Sequence, residues 1–268
     1  MFGPQGFILL VIMKKLSVTK EELADLYLNK KTSPTEIANI FDVSRAAIYK
    51  RLKKFDIYIK FNDLIYQERQ QFFTQDVDEY IIGVLLGDGH IEANTSNKAG
   101  RLEISHSIKQ KDYLVWQANI MAGLISSLRE GEAKLNGKVH GTCGFHTLSH
   151  PLFLKYRDLF YDAGGKKIIR PEIKNRLTEK GLAIWIMDDG SYHRGDKIRI
   201  STDCFSYEHH LILQDILKDN FDLNVNICKQ TRNGKSFCYL EFNKTNAIKL
   251  SDIIRPYVIE SMKYKLVD

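Results

Sequence analysis

Two apolar runs in this 268-residue chain each close on a carboxylate beside glycine. The first ends Leu85-Leu86-Gly87-Asp88-Gly89-His90, and the second reads Ile184-Trp185-Ile186-Met187-Asp188-Asp189-Gly190. An acid is the unfavourable neighbour for a helix C-terminus, where the backbone dipole already leaves partial negative charge. If the two helix ends meet, Asp88, Asp189 and both dipoles gather like-signed charge that a bound divalent cation would neutralise. Gly87 and Asp188, the residues just before each acid, join them as candidate metal contacts. All-oxygen ligands select a hard ion: Mg²⁺ first, with Mn²⁺ as an alternative and Ca²⁺ as a substitute. Asp-Gly by itself is also an ordinary hairpin turn. The doubling favours the metal reading, because the two acids stand 189 − 88 = 101 residues apart at equivalent points of an internal repeat.

The elements that must position these acids follow from periodicity. Residues 77–87 are apolar almost all round (Val77, Tyr80, Ile81, Ile82, Val84, Leu85, Leu86), so this helix must be buried on most sides. Gly83 and Gly87 bare one face for a second helix, and residues 178–188, with Ala183 as the small residue, are the natural partner. Around the first helix the pattern gives strands 90–94 and 101–108, a helix 110–129, a strand pair within 132–148 and a helix 150–162. Around the second it gives strands near 191–194 and 197–203, a helix 206–219, strands 223–230 and 236–242, and a helix 244–254. The fold class is α+β, with two pseudo-symmetric αββαββα halves at 77–172 and 173–268. The strands alternate: Arg101, Glu103, Ser105 and Ser107 oppose Leu102, Ile104 and Ile108, and Lys197, Arg199, Ser201 and Asp203 oppose Ile198 and Ile200. Asn224, Asn226, Cys228 and Gln230 continue the polar series. Such alternation means first a half-buried antiparallel sheet, yet these polar side chains also suit phosphates and base edges.

Residues 1–60 read as a separate small helical domain, followed by a linker with local order at 61–76. Thr19 and Ser33 are helix caps, Asp42-Val43-Ser44 makes a tight turn, and a third helix follows from Ser44. The arrangement resembles a helix-turn-helix of the resolvase or Fis-like kind, whose basic third helix offers Arg45, Lys50, Arg51 and Lys53 to DNA. A bundle with a solvated basic face is the plainer alternative. The apolar run Phe7–Met13 is too short to span a bilayer and lacks the preceding basic residues of a signal peptide. Met13 is an alternative start.

The stretches 81–89, IIGVLLGDG, and 182–190, LAIWIMDDG, resemble the two motifs of the LAGLIDADG homing endonucleases, and the resemblance extends over residues 77–268, including the trailing SMKYKL. It implies saddle-shaped sheets lying in the major groove of double-stranded DNA, with Asp88 and Asp189 holding metal at the centre. It also implies a polar residue and a lysine near each acid: Gln110 and Ser206, and Lys167 and Lys265, with Lys166 and Lys263 as alternatives. The motif's sixth position departs from the family name, being Leu86 in one copy and Met187 in the other. The implied activity is metal-dependent cleavage of both strands at a long asymmetric site, across the minor groove, by a monomer. The alternatives on this scaffold are a maturase that binds intron RNA and a regulator that binds DNA without cutting it.

Other classes recede. A net charge of +6 suits a polyanionic partner. The four cysteines form no C-x-x-C pair, so a reducing, intracellular setting at DNA is expected, without a membrane. His140, Cys143, His146 and His150 match no strong zinc spacing and are expected to serve as strand contacts and a helix start. No splicing Cys or Ser begins the chain and no His-Asn ends it, so an intein-embedded nuclease is not expected.

Overall fold

Thr19, Ser33 and Ser44 each accept a hydrogen bond from a backbone N–H of the turn that follows, and a helix begins after each. The computed structural model describes residues 18–135, 137–232 and 234–267, so the apolar run Phe7–Met13 and the alternative start at Met13 lie outside the described residues. The chain divides between Gln70 and Gln71 into two compact units. The first contains α1 (Lys20–Ala24), which continues as a π-helical turn to Asn29, then α2 (Pro34–Ile40), α3 (Arg45–Lys54) and α4 (Phe61–Arg69). Leu23, Tyr27, Ile37, Ile48 and Leu52 are its fully buried centre. Asp42 takes a left-handed conformation at φ 51° in the α2–α3 turn. The stretch read as a linker is helical over Phe61–Arg69: it has no Gly or Pro, buries Leu64 and packs a half-buried Phe61 against this core.

The second unit runs α5 (Gln75–Leu86), β1 (His90–Ala93), β2 (Gly100–Ser107), α6 (Lys111–Ile120), β3 (Ile125–Leu135), β4 (Lys138–Thr147) and α7 (Leu152–Phe160). The order then repeats as α8 (Glu179–Asp189), β5 (Gly190–His193), β6 (Lys197–Ile200), α9 (Tyr207–Phe221), β7 (Asn226–Arg232), β8 (Lys235–Phe242) and α10 (Lys244–Ile254). Each half forms one four-stranded antiparallel sheet, in the orders β1-β2-β4-β3 and β5-β6-β8-β7. The doubled αββαββα reading therefore holds. No helix of the described residues is long and apolar enough to cross a membrane.

Several boundaries differ from the sequence reading. The helix expected over 110–129 stops at Ile120, and β3 begins at Ile125 instead of 132. Gly123 explains the stop: it sits at φ 86°, and a Cβ there would stand 2.6 Å from the Phe72 ring. Strand β6 ends at Ile200, short of 203, and β7 starts at Asn226, leaving Asn224 before it.

Helices α5 and α8 cross in parallel at glycine. A Cβ on Gly83 would lie 2.4 Å from the Gly181 carbonyl oxygen and 2.8 Å from Ile184 Cβ, and one on Gly87 would lie 2.6 Å from Asp188 Cβ. The residue that lets the backbones meet is thus Gly181, half a turn before the expected Ala183. At their N-terminal ends the charges are complementary. Asp78 takes Arg176 and the Tyr156 hydroxyl, the latter at 2.7 Å, and Asp76 pairs with Lys180. The acids there also sit well against the positive end of the dipole. The opposite ends carry the site.

Candidate active site

Helix α5 ends at Leu86 with Gly87 as its cap, and the Gly89 N–H closes back on the Val84 oxygen at 2.7 Å, leaving Asp88 projecting from the helix end. Asp189 is the last residue of α8, and its carbonyl accepts the Ser201 N–H at 3.1 Å. Because the helices run in parallel, both acids reach one cavity of about 510 Å³, lined also by Gly87, Lys167, Ser201 and Cys204.

Two lysines answer the negative helix ends. Lys167 Nζ donates to the Gly87 carbonyl at 2.7 Å. Lys265 Nζ donates to the Asp188 carbonyl at 2.9 Å and also to that of Met187. Each lysine therefore holds the carbonyl that precedes an acid, which is the favoured use of a cation at a helix C-terminus. Burial pulls both ammonium groups below their ordinary range, against the opposing pull of the three aspartates. Between the paired candidates the structure brings in Lys167 and Lys265. Lys166 is exposed, and Lys263 pairs with Glu260 at 2.6 Å.

The carboxylates themselves are crowded. Burial, then the charges of Asp88 and Asp188, push the Asp189 carboxyl up to about 8. Burial, then Asp88, push Asp188 up to about 7. Asp188, the other acid expected at the metal, has both carboxylate oxygens engaged within the protein. Its Oδ1 accepts the Tyr113 hydroxyl at 2.7 Å, and its Oδ2 accepts the Asp88 backbone N–H at 3.2 Å. Gly87, the other candidate contact, has its carbonyl engaged by Lys167.

His106 completes this corner and was missed by sequence reading. Its Nδ1 stands 3.4 Å from Asp88 Oδ2, and its Nε2 donates to Gln117 Oε1 at 2.8 Å. Burial opposes the charged imidazole, but Asp88, Asp188 and Gln117 outweigh it and hold His106 above its usual range. Strand parity carried the signal: His106 falls on the inward side of β2 with Leu102 and Ile104, an odd place for histidine unless it is partnered. Tyr113 and Gln117, four apart on α6, are that partnership seen from the helix. Ligand-type atoms of Asp88, His106 and Asp188 all lie within 4.8 Å of one another.

Gln110 and Ser206 occupy matching places, immediately before α6 and α9, but neither lines the cavity of the two acids. Ser206 caps α9 by accepting the His209 N–H at 3.4 Å. The polar strand faces form as read: Arg101, Glu103 and Ser105 alternate with the buried Leu102 and Ile104, and Lys197 and Arg199 with Ile198 and Ile200. Their charges are already paired within the protein. Arg101 bridges Glu92 and Glu103 at 2.6 and 2.7 Å, while Lys197 and Arg199 share Glu241 at 2.9 and 2.7 Å. Ser201, Asn224 and Asn226 are exposed. In the first unit Arg45, Lys50 and Lys53 are exposed on α3, whereas Arg51 is half-buried with its guanidinium over the Phe55 ring. The histidines and cysteine set aside as a zinc group do not converge. Cys143 is buried on the inner face of β4, and His150 Nδ1 accepts the Leu152 N–H at 3.1 Å at the start of α7.

Residues 78–250 match the LAGLIDADG DNA endonuclease family. The chain is 30% identical over 202 residues to protein RecA of Mycolicibacterium chitae and 30% identical over 199 residues to cytochrome b mRNA maturase bI2 of Saccharomyces cerevisiae. These alignments take in 70% and 69% of this chain and 46% of each relative, so the chain spans about half the length of these curated relatives. A probable intron-encoded DNA endonuclease 3 of Mycosarcoma maydis is 36% identical over 127 residues, 46% of this chain and 90% of that protein. Among solved structures, the homing endonuclease I-WcaI bound to its DNA recognition sequence is similar at a TM-score of 0.67 and 28% identity, over 76% of this chain and 92% of that one.

Proposed function

The chain belongs to the LAGLIDADG DNA endonuclease family, and on that premise we propose that it is a site-specific endonuclease hydrolysing one phosphodiester in each strand of a long asymmetric DNA site. The observation that carries the reading is the convergence of Asp88 and Asp189 on one cavity, each behind a lysine-clamped helix end. The donor set fits a hard divalent cation: three carboxylates crowd together, and burial followed by the charge of Asp88 pushes Asp188 up to about 7 and Asp189 up to about 8. Asp88 and Asp189 would hold it, with Mg²⁺ the expected ion. A cation so held supplies charge neutralisation at a phosphate and activation of a water. Lys167 and Lys265 fix the two helix ends so that the acids keep their spacing, and add positive charge where a phosphodiester gains negative charge.

Binding belongs to the two sheets and the first unit. The side chains of Arg101, Lys197 and Arg199 would exchange their glutamate partners for phosphates or base edges, while Ser105, Ser201, Asn224 and Asn226 offer uncharged hydrogen bonds. Arg45, Lys50 and Lys53 on α3 would add contacts beyond the sheets. One chain supplies both halves, so a monomer suffices. A second reading rests on the 30% identity to a protein named as an mRNA maturase: the same fold would assist splicing of an intron RNA.

The test selects a target from a randomised duplex library with the wild-type protein, then measures cleavage in Mg²⁺ beside binding in Ca²⁺. Asp88→Asn and Asp189→Asn should each reduce double-strand cleavage on the order of a hundredfold or more, with binding near wild type. A double variant that still linearises its target would sink the assignment. Rescue of intron splicing by that same variant would support the maturase reading.

A further inference from the structure

The two half-sites are built differently around their acids. On the first side, five groups close a ring. The Asp88 carboxylate faces His106 Nδ1, and His106 Nε2 donates to Gln117. Gln117 and Tyr113 lie one turn apart on α6, and Tyr113 donates to Asp188, which accepts the Asp88 N–H. The Asp88 backbone is thus held by a hydrogen bond and its carboxylate by an ion-pair contact with His106 at 3.4 Å, and that contact is buried: the His106 side chain is 1% exposed.

The second side has no counterpart. His90 pairs with Glu103 across β1 and β2, and Ser191, which is 90 + 101, pairs with Arg199 across β5 and β6. Glu103 therefore matches Arg199, and His106 matches Thr202 three residues on. The Thr202 hydroxyl is instead joined to His210 Nε2 at 2.7 Å, and His210 Nδ1 to the Ser206 carbonyl at 2.7 Å. Among the described residues no histidine, lysine or arginine forms such an ion pair with the Asp189 carboxylate, whereas His106 does with Asp88. The position matching Asp188 is Gly87, which has no side chain to offer.

We propose that His106 is a positioning residue for Asp88, one half-site being held rigid by the His106–Gln117–Tyr113–Asp188 ring and the other not, so that the two DNA strands depend unequally on it. The inference rests on the endonuclease reading of Asp88 and Asp189. A partner that orients a ligating carboxylate sets how well that carboxylate meets its ion, and its loss commonly costs ten- to a hundredfold in affinity or activity.

The experiment follows a supercoiled plasmid carrying the selected target, with each strand of a parallel duplex end-labelled. His106→Ala should slow the cutting of one strand by about tenfold or more and leave the other within about threefold, so nicked circles accumulate. Binding in Ca²⁺ should stay within about threefold of wild type. His106→Asn places an amide nitrogen where Nδ1 stands and should restore the slowed strand in part. His106→Gln places one where Nε2 stands and should not, whereas a merely space-filling role would treat the two alike. Gln117→Leu, which leaves His106 present but unlinks Nε2, should give the same strand bias in smaller degree even if His106→Ala does not fold. Equal slowing of both strands, wild-type rates in His106→Ala, or indistinguishable Asn and Gln variants would overturn the inference while leaving the endonuclease reading intact. A wild-type protein that binds but cuts neither strand would instead remove that reading, and this inference with it.

Discussion

Asp189 and Asp188 owe their raised values first to burial and then to neighbouring carboxylates, and the sign of the consequence is fixed by that. A carboxyl whose folded-state value exceeds its unfolded value near 4 favours the folded state when protonated. Stability is then greatest below about pH 4 and is lost as pH rises towards about 8. A divalent cation binds the ionised form, so protons compete with it at low pH. In EDTA, the contribution of this cluster should make the thermal midpoint fall between about pH 5.5 and pH 8.5, and saturating Ca²⁺ should raise it more at the higher pH. Asp189→Asn should flatten the fall and shrink the Ca²⁺ gain. Calorimetric scans in which wild type and Asp189→Asn show the same pH slope would contradict this. Asp88 and Asp189 were legible in the sequence because an acid after an apolar helix is locally anomalous and the anomaly occurs twice. His106 was not, since a single inward histidine among Leu102 and Ile104 shows its purpose only when Gln117 and Tyr113, on the next element, come alongside.

Among the elements, the α5–α8 crossing decides how far apart the acids stand. Gly83→Ala would bring its methyl against the Gly181 oxygen, backbone that has little room to yield. Alanine's better helix propensity offers about 1 kcal/mol, while overpacking costs about 1–3 kcal/mol. The net expectation is a destabilised protein whose cleavage falls further than its binding, because the helix ends separate while the strand faces stay formed. Urea titration gives the first quantity and parallel cleavage and binding assays the second; a more stable, fully active variant would refute the packing account. Periodicity revealed these helices and most strands, since 3.6- and 2-residue patterns survive without tertiary information. It failed at Gly123, where an apolar Met121-Ala122-Gly123-Leu124 run looks like continuing helix until the Phe72 ring is seen to demand the glycine. It chose Ala183 over Gly181 for a similar reason: the sequence shows which residues are small, but only the crossing geometry shows which one is met.

For the whole molecule, the first unit has its own buried centre, and the second has another. Removing residues 1–70 should therefore leave a folded remainder that cuts at saturating concentration but binds more weakly. With Arg45, Lys50 and Lys53 gone, the slope of log affinity against log salt should become shallower by about 2–3, near 0.9 for each phosphate no longer neutralised. Unchanged affinity and slope would show that α3 does not touch DNA. The crossing carries one more consequence at this scale. Shifted by 101 residues, Gly83 corresponds to Ile184 and Gly87 to Asp188, and it is these unlike residues that face each other. Two copies of α5 would meet glycine to glycine at 83 and 87 but set Tyr80 in the place of Gly181; two copies of α8 would press isoleucine on isoleucine and carboxylate on carboxylate. Each half therefore selects the other and rejects itself. Expressed as separate chains, residues 71–172 and 173–267 should assemble one to one and show no self-pairing in sedimentation. The pseudo-symmetry of the chain is thus a settled division of labour, which no longer permits either half to found a symmetric dimer.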